Sequence, residues 1–174
     1  MKQKIKLWQL IGFATVSFLG TILHFLFDWL NKPTWIAPFS GVNESTWEHM
    51  KLLFWPMFIF AILQCFFFTE EKCYWCVKLK GTLIGLGLVP ILFYTFNGVI
   101  GTSPDWINIA IFFVSVAFAY LYESHQLVTC AASCKNSHFA FFVLWFFAIL
   151  FVVFTFKTPK LNIFKDPITN MYGI

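Results

Sequence analysis

A chain of 174 residues that is 59% hydrophobic, 22% aromatic and 11% charged, with mean hydropathy +0.74, has too little interior to hide 25 Phe and 8 Trp from water. This excludes a soluble globular domain and a disordered chain, and makes lipid the solvent for most side chains. The net charge of +4 rests on 12 basic residues, all Lys, which are scattered between apolar runs and so exclude a nucleic-acid binder.

Five stretches are long enough to cross a hydrocarbon core of ~30 Å, for which about 20 apolar residues suffice. They run from about Leu7 to Leu30, Leu52 to Phe68, Gly81 to Ile100, Trp106 to Tyr122 and Phe139 to Phe156. Each is a solid apolar run without the alternation of a barrel strand, so backbone groups in lipid must pair within their own segment, as helices. The expected fold is all-α: a polytopic membrane helical bundle of about five transmembrane helices, in a single integral membrane domain over residues 1–174. Lys2, Lys4 and Lys6 precede the first run, which is too long for a cleaved signal peptide and lacks a small-residue cleavage pattern.

Lysine placement gives the orientation. With the N-terminus inside, seven lysines fall on the cytoplasmic side (Lys2, Lys4, Lys6, Lys72, Lys78, Lys80 and Lys135) and five outside (Lys32, Lys51, Lys157, Lys160 and Lys165). The chain therefore reads as N-terminus inside, C-terminus outside. Absence of Arg beside abundant Lys, Phe and Ile fits an AT-rich bacterial genome, so the bacterial cell membrane is the expected location. Trp29, Trp35, Trp47, Trp55 and Trp106 fall near the outer boundary, where indoles favour the interface. Pro90 is expected to kink the third helix.

Near the outer end of the first helix stand His24 and Asp28, four residues apart and so on one face. The following loop, Gly41-Val42-Asn43-Glu44-Ser45-Thr46-Trp47-Glu48-His49-Met50-Lys51, leads into the second helix. Topology brings Tyr94 and Asn97, near the end of the third helix, to the same level. One reading is structural: Ser45 and Glu48 form a reciprocal capping box, and His24 pairs with Asp28. The other is functional. His24, Asp28, Glu44, Glu48 and His49 are candidate catalytic residues of a small-molecule or lipid site, with Tyr94 and Asn97 as candidate ligand-binding residues. Two histidines with carboxylates suit Zn²⁺, and a His–Asp pair suits general base catalysis.

Cysteines gather in the two loops on the opposite side. Cys73 and Cys76 form a C-x-x-C after the second run, and Cys130 and Cys134 precede the fifth. Four thiolates would make a tetrahedral zinc set, the reduced cytoplasm favouring metal over disulfide. Thiol–disulfide exchange and incidental buried cysteines are the alternatives. Cys65, inside the second run, fits the last.

The block Val42-Asn43-Glu44-Ser45-Thr46-Trp47-Glu48-His49-Met50-Lys51, preceded by His24 and Asp28, resembles an uncharacterised family of small five-helix bacterial membrane proteins. The tail Phe164-Lys165-Asp166-Pro167-Ile168-Thr169-Asn170-Met171-Tyr172-Gly173 is similar to that family's C-terminus. The resemblance implies a multi-pass membrane protein and assigns no reaction. Membrane lipid, a small-molecule or lipid ligand and membrane-protein partners are the partners this reading admits. A non-catalytic subunit of a larger membrane complex is the third class of function.

Overall fold

A computed structural model describes residues 2–68, 73–101, 104–129, 134 and 136–174. Five α-helices follow one another: α1 (Lys2–Trp29), α2 (Thr46–Cys65), α3 (Tyr74–Ile100), α4 (Asp105–Thr129) and α5 (Ser137–Phe156), with a short 3-10 turn at Asn162–Phe164. No strand occurs among the described residues; Lys165 and Tyr172 form one isolated bridge. The all-helical expectation holds. Four helices, α1, α3, α4 and α5, are long and apolar enough to cross a membrane.

The remaining helix, α2, expected as a fifth span, falls short by composition because its first turns carry Glu48, His49 and Lys51, and its surroundings are protein. Fourteen of its twenty residues are buried, and it packs against each of the other four. Leu53, Phe54, Phe58 and Phe60 lie in the main core with Val116, Ala119, Leu144 and Phe151. α3 packs along α4, α1 lies against α2 and α4, and α5 closes the bundle against α3. Leu10, Phe18, Ile91, Phe118, Phe142 and Phe146 stay outward and exposed, as an apolar solvent allows.

α1 and α4 approach closely through two glycines. A Cβ at Gly12 would collide with the Tyr120 ring, and one at Gly20 with the Phe112 ring. Small residues let helix backbones close in this way. Both contacts belong to one antiparallel register, which sets Gln9 opposite Glu123.

The helix ends overrun the expected spans. α2 begins at Thr46 rather than about Leu52, α3 at Tyr74 rather than about Gly81, and α4 continues to Thr129 rather than Tyr122. Each overrun takes a charge into the bundle, and each such charge is paired: Lys51 with Glu48, and Lys78 with Glu123. α2 and α3 run continuously through Pro56 and Pro90. Two of the expected interfacial indoles belong instead to the core. Trp47 packs against Phe151, Phe154 and Phe164, while Trp55 donates its indole N–H to Pro38 O at 2.8 Å. Trp29, Trp35 and Trp106 are exposed.

Candidate functional site

After α1 the chain turns back through Asn31 and Lys32, both with positive φ (61° and 58°). The returning loop is tied to the last turns of α1, where Gly41 N–H donates to Leu23 O at 3.1 Å and Ser40 Oγ donates to the same carbonyl at 2.8 Å. This brings Glu44 against His24. Ser45 then caps α2 by accepting Glu48 N–H, while its own N–H is taken by Asn43 Oδ1 at 2.9 Å. Only half of the expected capping box forms. The Glu48 carboxylate accepts Val42 N–H at 3.0 Å and pairs with Lys51.

His24, Glu44 and His49 converge. Glu44 Oε2 lies 3.8 Å from His24 Nε2 and 3.6 Å from His49 Nε2. The imidazole centroids are 5.5 Å apart, and one ligand atom from each residue falls within 4.8 Å of the others. His49 Nδ1 sits 2.9 Å from Ser45 O. A carbonyl only accepts, so Nδ1 carries the proton, and the neutral ring keeps its lone pair on Nε2, 3.6 Å from Glu44 Oε2. His49 lies in the first turn of α2, ahead of the apolar stretch from Leu52. Burial pushes it below the ordinary histidine value, opposed by the Ser45 carbonyl and the Glu44 carboxylate. Glu44 remains 40% exposed, so the cluster opens outward.

Separations of 3.6 and 3.8 Å are too long for hydrogen bonds, which run at about 2.7–3.2 Å. They match ligands about a common ion: zinc–ligand distances of about 2.0–2.2 Å in tetrahedral geometry put ligand atoms roughly 3.3–3.6 Å apart. The two imidazoles, whose ligand atoms lie within 4.8 Å, must draw together to share an ion, and three protein ligands would leave a coordination position open. The side chains present fit a divalent metal.

The other expected residues lie elsewhere. Asp28 does not pair with His24; it faces solvent and meets Lys32 at 3.4 Å. Glu48 is buried with Lys51, whose ammonium also donates to Ala37 O (2.8 Å) and Thr155 Oγ1 (3.2 Å), joining loop, α2 and α5. Tyr94 is exposed, edge-on to Phe93. Asn97 donates to Phe93 O at 2.9 Å, within its own helix. The four-thiolate zinc set of Cys73, Cys76, Cys130 and Cys134 is replaced by another pairing. Cys76 and Cys134 are joined in a disulfide, and bonded sulfurs offer no thiolate; Cys73 keeps its thiol, and Cys130 lies outside the described residues.

One buried group escaped the sequence reading. Lys78 and Glu123 pair across α3 and α4, both fully buried, with the ammonium near the faces of Tyr74 and Tyr120. A Cβ at Gly81 would strike the Glu123 side chain, so glycine leaves the carboxylate its present place. Gln64 lies within reach of Tyr74, and the α1–α4 register brings Gln9 opposite. The missed signal was Glu123 one residue beyond an apolar run that continues as helix.

A helical bundle with membrane-length apolar helices and a convergent His–Glu–His cluster at one end is the class that fold and site define. Over residues 1–174 the chain matches the family described as a family of unknown function, DUF6512, and it belongs to that family. No curated protein and no solved structure matches it.

Proposed function

We propose that this is a multi-pass bacterial membrane protein that binds a divalent metal, zinc foremost, through His24, Glu44 and His49, and that the metal receives a small-molecule or lipid oxygen ligand from the outer face. The observation that carries the reading is the convergence of two imidazole nitrogens and a carboxylate oxygen at near-ligand spacing, with one imidazole fixed in the ligating tautomer by Ser45 O. Three ligands with an open position are the pattern of zinc sites that act on a bound molecule, whereas structural sites are closed by four. A backbone partner on the non-ligating nitrogen is the usual support for a metal-binding histidine.

The orientation has the N-terminus inside. Lys51 and Lys78 are buried ion-pair partners and leave the loop tally. Six lysines then stand on the N-terminal side (Lys2, Lys4, Lys6, Lys72, Lys80 and Lys135) against four on the other (Lys32, Lys157, Lys160 and Lys165).

The test is zinc binding by purified full-length protein, stripped with chelator and titrated against a competing indicator. One equivalent of zinc should bind. His24→Ala, Glu44→Gln and His49→Ala should each weaken it by about 100-fold or more, which is roughly 2.7 kcal/mol. Asp28→Asn should bind as wild type. Zinc retained at full affinity by the three ligand variants would sink the metal reading.

A further inference from the structure

The opposite end of the bundle carries a second piece of chemistry. Cys76 and Cys134 are bonded across 58 residues, with Cα atoms 6.0 Å apart, and both are half-buried at the surface. Cys73 is the N-cap of α3, and Cys76 lies in its first turn. The Cys73 side chain makes no cap hydrogen bond, but residues three apart on a helix share a face. A third cysteine is thus placed on the same side of α3 as the bond. Cys134, in turn, belongs to a C-x₃-C with Cys130.

We propose that Cys73, Cys76 and Cys134 form a thiol–disulfide exchange site whose partner is a dithiol on the same side of the membrane. The inference rests on the orientation argued above, which sets this end in the cytoplasm. A permanent staple does not suit that compartment; disulfides found there are transient and catalytic or redox-sensing. In the exchange, the Cys73 sulfur gives up its proton and attacks Cys76 Sγ. The Cys76–Cys134 bond breaks, the Cys73–Cys76 bond forms, and Cys134 leaves as a thiolate that takes up a proton. Two sulfurs swap partners with no net oxidation. A partner dithiol then attacks the Cys73–Cys76 bond with one sulfur and resolves the mixed disulfide with the other. The partner ends oxidised to a disulfide, and Cys73 and Cys76 end as thiols, each having gained one electron and one proton.

The experiment is disulfide mapping of the full-length protein after equilibration in mixtures of reduced and oxidised dithiothreitol, with acid quenching, alkylation and peptide mass spectrometry. Wild type should contain both Cys76–Cys134 and Cys73–Cys76 bonds at intermediate ratios. Cys73→Ser should hold only Cys76–Cys134, and Cys134→Ser only Cys73–Cys76. Wild type that shows Cys76–Cys134 alone at every ratio until it is fully reduced carries a staple, which overturns the proposal. Cys76 found in no bond, or Cys73 bonded instead to Cys130, overturns it as well. A membrane-impermeant maleimide on cells pretreated with reductant tests the premise separately. Labelling only after permeabilisation supports it, and labelling of intact cells removes it.

Discussion

Lys78 and Glu123 meet inside the bundle with opposite charges in direct contact, two tyrosine rings around the ammonium and a glycine cleared to admit the carboxylate. His24, Glu44 and His49 meet at its end with no direct hydrogen bond among them, two nitrogens and an oxygen within 4.8 Å of one another. The first group largely neutralises itself. The second leaves its members apart, and there the proposed metal would enter. Polar groups in an apolar bundle are costly in both cases, so the difference lies in who supplies the compensation: the chain itself at Lys78–Glu123 and, on the proposal above, a bound metal at the histidines.

The sharpest break of that comparison is at the closed pair. Lys78→Met should destabilise the protein by about 3–5 kcal/mol, because it strands a buried carboxylate, whereas Lys78→Met combined with Glu123→Leu should recover most of the loss. Thermal unfolding in detergent reads both. A double variant as damaged as the single would mean that the pair does more than cancel itself.

A smaller effect separates the open cluster. Protons and metal compete for the same imidazole nitrogens, so zinc affinity should fall as the pH drops from 7.5 to 5.5, with the His49 share of the fall coming late because burial holds that imidazole below the ordinary histidine value. Affinity that is flat over that interval would show that the histidines are not the ligands.

Least of all should come from Asp28→Asn, since its pair with Lys32 is solvated and such pairs contribute little. Unfolding temperature should match wild type within error. A clear drop would bring Asp28 back beside His24, against the geometry.

These contrasts also explain what could be read in advance. Five apolar runs were plain because each must shield its own backbone. Their ends were not, because an ionisable residue marks the edge of a span only while it stands alone. Lys51, Lys78 and Glu123 lie inside helices whose neighbours neutralise them, and the identity of a partner up to 45 residues away is a property of packing. The same reasoning covers the site. His24, Glu44 and His49 were visible as polar residues at one membrane level. That Asp28 turns outward and Glu48 turns into Lys51 depends on the path of the loop, fixed by contacts such as Ser40 with Leu23 and Lys51 with Ala37. Trp47 and Trp55 followed the general habit of indoles on paper and the local demand of the core in fact.

The segment after α5 folds back onto the loop that bears Glu44. Asn43 Nδ2 donates to Gly173 O at 3.0 Å across 130 residues, Phe164 packs on Trp47, and Asp166 orders the turn between them by accepting Ile168 N–H at 2.8 Å and Thr169 Oγ1–H at 2.7 Å. During synthesis, α1 and the loop leave the ribosome long before this latch exists. The carboxylate arm of the cluster therefore acquires its final brace only when residues 164–173 arrive. A polypeptide released after α5 but short of that segment carries His24, Glu44 and His49 and lacks the brace that holds the loop. Assembly of the loop around Glu44 thereby waits on a segment made after all five helices.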